Sequence, residues 1–133
     1  MRPDEVIASA RRCVGARFRT QGRDPASGLD CVGVAAVALD KQVPPARYGL
    51  RGDHARMIAQ VAEAMELRPV FPGDARWGDL LVVEAGPGQV HMLILTPGGF
   101  VHADARLRKV VEVPGPAPWP VLAAWRGCDE GDF

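Results

Sequence analysis

Cysteine, net charge, long apolar runs and tyrosine are all scarce in this sequence. Its three cysteines, Cys13, Cys31 and Cys128, are an odd and sparse set. They cannot build a disulfide framework, and no C-x-x-C spacing suggests a zinc knuckle. Sixteen Lys plus Arg balance sixteen Asp plus Glu, which argues against nucleic acid or an anionic membrane as the main partner. No apolar run approaches the length of about 18 residues that spans a bilayer. Met1-Arg2-Pro3-Asp4-Glu5 leads straight into a helical pattern without the apolar h-region of a secretory signal. Synthesis in the reducing cytoplasm, without a signal peptide, is the expectation. Repeats and low-complexity stretches are missing too, so the 15 glycines and 12 prolines read as turns of a compact fold. The length of 133 residues fits a single domain over residues 1–133, large enough to bury a core unaided.

The first part of the chain has helical periodicity. Asp4 can cap a segment that carries Val6, Ile7, Ala10, Cys13 and Val14 on one face and stops at Gly15. Cys13 then reads as a small core residue. Arg17 to Leu29 is polar, holds Gly22, Pro25 and Gly28, and reads as a loop. From Cys31 to Leu39 the chain is apolar almost all round; three alanines, and Asp30 in the N-cap position, favour a buried helix over a strand. A third helix fits Asp53 to Leu67, with Met57, Ile58, Val61, Ala62 and Met65 inward. After Pro69 come five strand-like runs: Asp79–Glu84, Val90–Thr96, Phe100–Ala103, Lys109–Val113 and Val121–Arg126. Helices first and strands afterwards predict an α+β domain, N-terminal helices packed on a C-terminal antiparallel sheet of about five strands.

The segment Asp30-Cys31-Val32-Gly33 holds the candidate chemistry. A helix starting here puts the Cys31 thiol in its first turn, where free N–H groups and the helix dipole favour a thiolate. Gly33 lets another backbone or a substrate approach that turn. A proton acceptor must come from His54, His91 or His102. A two-residue turn at Pro97-Gly98 sets Leu93 opposite His102 and places His91 on the same sheet face, within reach of it. The pattern permits a relay with Cys31 as nucleophile, His91 as base and His102 orienting His91. Spacing alone leaves open that Cys31 is only a core residue.

Three segments in order carry a resemblance. Ala16-Arg17-Phe18-Arg19-Thr20-Gln21-Gly22 with Gly28-Leu29-Asp30-Cys31-Val32-Gly33-Val34 resembles the catalytic-cysteine signature of NlpC-type cysteine peptidases. Gln89-Val90-His91-Met92-Leu93-Ile94 resembles their catalytic-histidine strand, and Gly99-Phe100-Val101-His102-Ala103 the strand of the third polar residue. Trp77-Gly78-Asp79-Leu80-Leu81 is similar to the turn that opens their sheet. The resemblance implies a papain-like fold and a cysteine peptidase that cuts amide bonds in peptidoglycan stem peptides. It implies catalytic roles for Cys31, His91 and His102, and places Asp30, Val32, Gly33 and Phe18 in the oxyanion and substrate region. Val32 replaces the family's usual Ser and Phe18 a common Tyr. The compact form resembles members encoded with phage tails and gene transfer agents, which implies action at the wall after release or within a tail-like particle. No metal or organic cofactor is implied. Two rival functions remain: an inactive interaction module of the same fold, and a Cys–His acyltransferase. Among other residues, His54 reads as a surface side chain, Asp104 as the start of a turn and Cys128 as incidental. Trp77 and Trp119 are candidates for a sugar groove, and Trp125 reads as core.

Overall fold

The computed structural model describes residues 1–43 and 54–127. Helix α1 spans Pro3–Arg12 and buries Val6, Ile7 and Ala10. It starts before the expected cap: Arg2 is the N-cap and Asp4 lies inside the first turn. Pro3 supplies a helical φ at the first position, and the Glu5 carboxylate reaches back to accept the Arg2 N–H at 3.0 Å. Cys13 closes the helix, so Val14 falls past the apolar face and is 44% exposed. Helix α2, Cys31–Ala38, is the buried helix the sequence predicts, with Asp30 as its N-cap. Helix α3, His54–Ala64, is shorter than expected, because Glu66 turns left-handed at φ 56°. Asp53, Cys128 and the side chains of His54 and Met57 lie outside the described residues; Val61, Ala62 and Met65 do point inward.

The expected loop between α1 and α2 contains a small ribbon, β1 (Arg23–Asp24) against β2 (Gly28–Leu29). The main sheet is antiparallel and holds six strands, one more than expected. They are β3 (Arg68–Val70), β4 (Leu80–Gly86), β5 (Gln89–Thr96), β6 (Gly99–Asp104), β7 (Lys109–Pro114) and β8 (Val121–Arg126), in the order β3-β8-β4-β5-β6-β7. The additional strand, β3, is short and carries Pro69, which only an edge strand tolerates.

The sheet has two unlike faces. Val82, Val90, Met92, Ile94, Val101, Ala103 and Val110 pack with the side chains of α1 and α2 in the main core. Leu81, Val83, Leu93 and Phe100 form a smaller cluster on the other face, covered by Val70, Ala75, Ala117 and Trp119. A buried ion pair ties the last strand to the start of β4: Arg126 donates from Nε and Nη2 to the two carboxylate oxygens of Asp79, each at 2.8 Å. Asp79 also accepts the Arg76 N–H at 2.8 Å. The Trp-Gly-Asp turn is therefore held from both sides.

Candidate active site

Asp30 sets the start of α2. Its Oδ1 accepts the Gly33 N–H at 2.8 Å and a bond from Arg23 Nη1 at 3.0 Å, while Oδ2 accepts the Gln21 N–H at 3.0 Å. One buried carboxylate thus caps the helix and anchors the preceding loop. Gly33 is needed for the same reason. A Cβ there would run into the carbonyl oxygen of Gly22, so the space it clears is filled by backbone. Val32 is fully buried in the main core, and its side chain offers no surface to a substrate. Phe18 packs partly buried against that core and bridges Leu29.

The register expected for the histidine strands is the one observed: Thr96 pairs with Gly99, Leu95 with Phe100 and Ile94 with Val101. His91 and His102 therefore leave the same face, and His91 Nε2 lies 2.8 Å from His102 Nδ1. Trp119 packs edge-on against His91 and tilted against His102, its centroid 5.7 Å from each, and Phe100 supports His102 at 5.2 Å. His102 is buried under this packing, while His91 keeps part of its surface exposed. Asp104 caps a turn, as expected, through Oδ1 with the N–H groups of Arg106 and Leu107. Its other oxygen lies 3.9 Å from His102 Nε2. The sequence offers Trp119 only as a candidate for a sugar groove; its place over the imidazoles comes from the path of the β7–β8 link, which brings it back over the sheet.

Cys31 reaches the histidine strand from the helix face. Leu95 donates its N–H to the Asp79 carbonyl oxygen on the β4 side, so by alternation the even-numbered amides of β5 point toward β6. The β5–β6 ladder ends at Ile94, and the Met92 N–H, next to His91, acts on the Cys31 sulphur instead. The N–H groups of Val32 and Cys31 act on it too. Among the described residues, no hydrogen bond joins the thiol to either imidazole.

The electrostatics correct the expected thiolate. Cys31 is only 2% exposed. Burial, then the Asp30 charge, pushes its thiol up to about 12, against the smaller pull of the three amides. Burial, then His102, pulls His91 down to about 4. Burial also lowers His102, while the Asp104 charge opposes that shift. At neutral pH the thiol is protonated and the imidazole pair neutral. The rings lie with Leu93, Phe100 and Trp119 on the sheet face away from the helix that carries the thiol. Cys13, buried and donating to the Ser9 carbonyl at 3.5 Å, is the core residue expected, its thiol pushed up to about 11 by burial. Trp125 packs on the core, and Trp77 is exposed. Trp77 and Pro97 line a cleft of about 530 Å³ with Arg2, Ile7 and Arg11 at the turn end of the β5–β6 hairpin, away from the imidazoles.

No protein-family model and no curated protein matches the sequence. Solved structures do. NlpC1 from Trichomonas vaginalis is 18% identical, with a TM-score of 0.66 over 93% of this chain and 43% of that one. The peptidoglycan hydrolase RipB from Mycobacterium tuberculosis is 22% identical, with a TM-score of 0.59 over 93% of this chain and 63% of that one. RipD from Mycobacterium tuberculosis, described as a non-catalytic NlpC/p60 domain protein adapted to peptidoglycan binding, is 18% identical, with a TM-score of 0.59 over 93% of this chain and 95% of that one. The chain thus spans less than two thirds of the first two. With three α-helices and a six-stranded antiparallel sheet among the described residues, and these likenesses across nearly its whole length, the chain has the fold of the NlpC/p60 domains.

Proposed function

We propose that this domain is a cysteine-dependent hydrolase of amide bonds in peptidoglycan stem peptides. The observation that carries the reading is the 2.8 Å bond between His91 and His102, one residue from the amide that acts on a cysteine at a helix N-terminus. The likeness in fold to a peptidoglycan hydrolase supports the substrate class. The bond between the rings occupies Nε2 of His91 and leaves Nδ1 to take the Cys31 proton. The sulphur then attacks the carbonyl carbon, and the Cys31 N–H, which acts on the sulphur at rest, becomes available to the developing oxyanion. His91 returns the proton to the departing amine, and water, deprotonated by the same ring, hydrolyses the thioester. Delivery by a phage-tail or gene-transfer particle belongs to the same proposal and rests on the sequence resemblance alone.

A second reading has its own support. The thiol is almost fully buried and not bonded to an imidazole, and one neighbour of the fold is described as non-catalytic and peptidoglycan-binding. Incubation with defined muropeptides followed by mass spectrometry separates the two. Hydrolysis predicts new fragments with the wild type and none with Cys31→Ala. His102→Asn should keep part of the activity and His102→Ala less, a loss of roughly 10²–10⁴-fold; His91→Ala should fall to background. Muropeptide retained uncut by every variant, wild type included, would replace the hydrolase with a binding module.

A further inference from the structure

Asp104 is positioned to decide which nitrogen of each histidine carries the proton, and that choice determines whether His91 can act as a base. The two rings meet through His91 Nε2 and His102 Nδ1, and only one of those nitrogens can hold the shared hydrogen. If His102 Nδ1 holds it, a neutral His91 must carry its own hydrogen on Nδ1, and it has no lone pair left for the thiol. If His91 Nε2 holds it, Nδ1 of His91 is free to accept, and neutral His102 must then be protonated at Nε2. Asp104 stands on that side. Its Oδ2 is 3.9 Å from His102 Nε2, where a carboxylate favours an N–H over a lone pair.

The carboxylate is held in that orientation by the backbone. Oδ1 accepts from Arg106 N at 2.9 Å and from Leu107 N at 3.0 Å, which fixes the plane of the group and points the second oxygen back along β6. The charge is felt across the pair, since Asp104 works against the burial-driven fall in basicity of both His102 and His91. His102 is 5% exposed, so its end of the interaction is shielded, while the Asp104 side chain is 24% exposed and partly screened by water.

We propose that Asp104 is a positioning residue, acting through His102 to hold the His91–His102 pair in the tautomer that leaves His91 Nδ1 as proton acceptor. The catalytic part of this inference rests on the hydrolase reading above, whereas the tautomer part does not. Asp104→Ser separates positioning from turn capping, because a Ser hydroxyl can replace Oδ1 in the turn but offers no second oxygen to His102. Long-range ¹H–¹⁵N spectra of the imidazoles report the tautomers directly, with or without turnover. In the wild type both His91 and His102 should be Nε2–H. In Asp104→Ser at an unchanged thermal midpoint, His102 should show a mixture with Nδ1–H. On a cleaved muropeptide, kcat should fall about tenfold with KM unchanged, the lower end for a supporting residue. Asp104→Glu should restore part of both signals. Identical imidazole spectra in wild type and Asp104→Ser would overturn the proposal, even if the enzyme is active. A tautomer shift in a protein that cleaves nothing would sustain it and remove only the hydrolase reading.

Discussion

For single side chains, burial acts on Cys31 and His91 in opposite directions on the pH scale, and both shifts favour the uncharged form. His91 falls from 6.5 to about 4 on folding. Between those values the unfolded chain binds the additional proton, so stability present above about pH 6.5 drains away as the pH falls toward 4. Cys31 rises from 9.0 to about 12. Its contribution is complete below about pH 9 and is lost as the pH climbs toward 12. The thermal midpoint should therefore be highest between roughly pH 6.5 and 9. Cys31→Ser should reduce the alkaline fall and leave the part due to Cys13, whose thiol is pushed up to about 11, and His91→Asn should soften the acid one. A midpoint that keeps rising in wild type from pH 9 to 11 would contradict the buried thiol. The same burial governs reactivity. Iodoacetamide should modify native Cys31 at pH 7 more slowly than the unfolded chain, with peptide mapping as the readout. Fast labelling of the native protein at pH 6 would mean an open, ionised site.

At the level of elements, the start of α2 is the joint on which the candidate site depends, and Asp30 holds that joint. Asp30→Ala removes the cap and leaves the Arg23 guanidinium without this partner, a cost of about 2–3 kcal/mol in chemical denaturation. Asp30→Asn keeps an acceptor for Gly33 and removes the charge. It should cost less and lower the Cys31 thiol, because the Asp30 charge is one cause of its rise. An unchanged thiol titration in Asp30→Asn would refute that link. Helix α2 was readable because Asp30 and an alanine-rich apolar run state its beginning and its burial together. The hairpin of the histidines was readable because a two-residue turn fixes register. Burial of the thiol was not, since it depends on where the β5–β6 ladder stops. Strand β3 was hidden by Pro69, and the contact of Trp119 with the histidines by a loop whose path no local pattern dictates. Asp104 was half legible: its turn is local, while its second oxygen acquires meaning only once His102 lies beside it.

For the whole molecule, the Asp79–Arg126 pair is the fastening that closes the sheet. It joins positions 47 residues apart, with the carboxylate fully buried. Arg126→Met should destabilise the domain by about 3–5 kcal/mol, because it strands a buried charge. Denaturant unfolding followed by tryptophan fluorescence measures this, and a loss below about 1 kcal/mol would show that the pair is replaceable.

The order β3-β8-β4-β5-β6-β7 also has a consequence in time. The strand made last is slotted between two that were made long before, and both must wait for it. As the chain leaves the ribosome at about 5–20 residues per second, β4, with its run Leu80-Leu81-Val82-Val83, waits several seconds beside β5 with its other edge bare. Such an edge recruits any strand nearby, including its twin on a neighbouring nascent chain. The topology that makes the finished sheet secure leaves its half-made form adhesive, and the arrival of β8 is the moment at which the risk of aggregation ends.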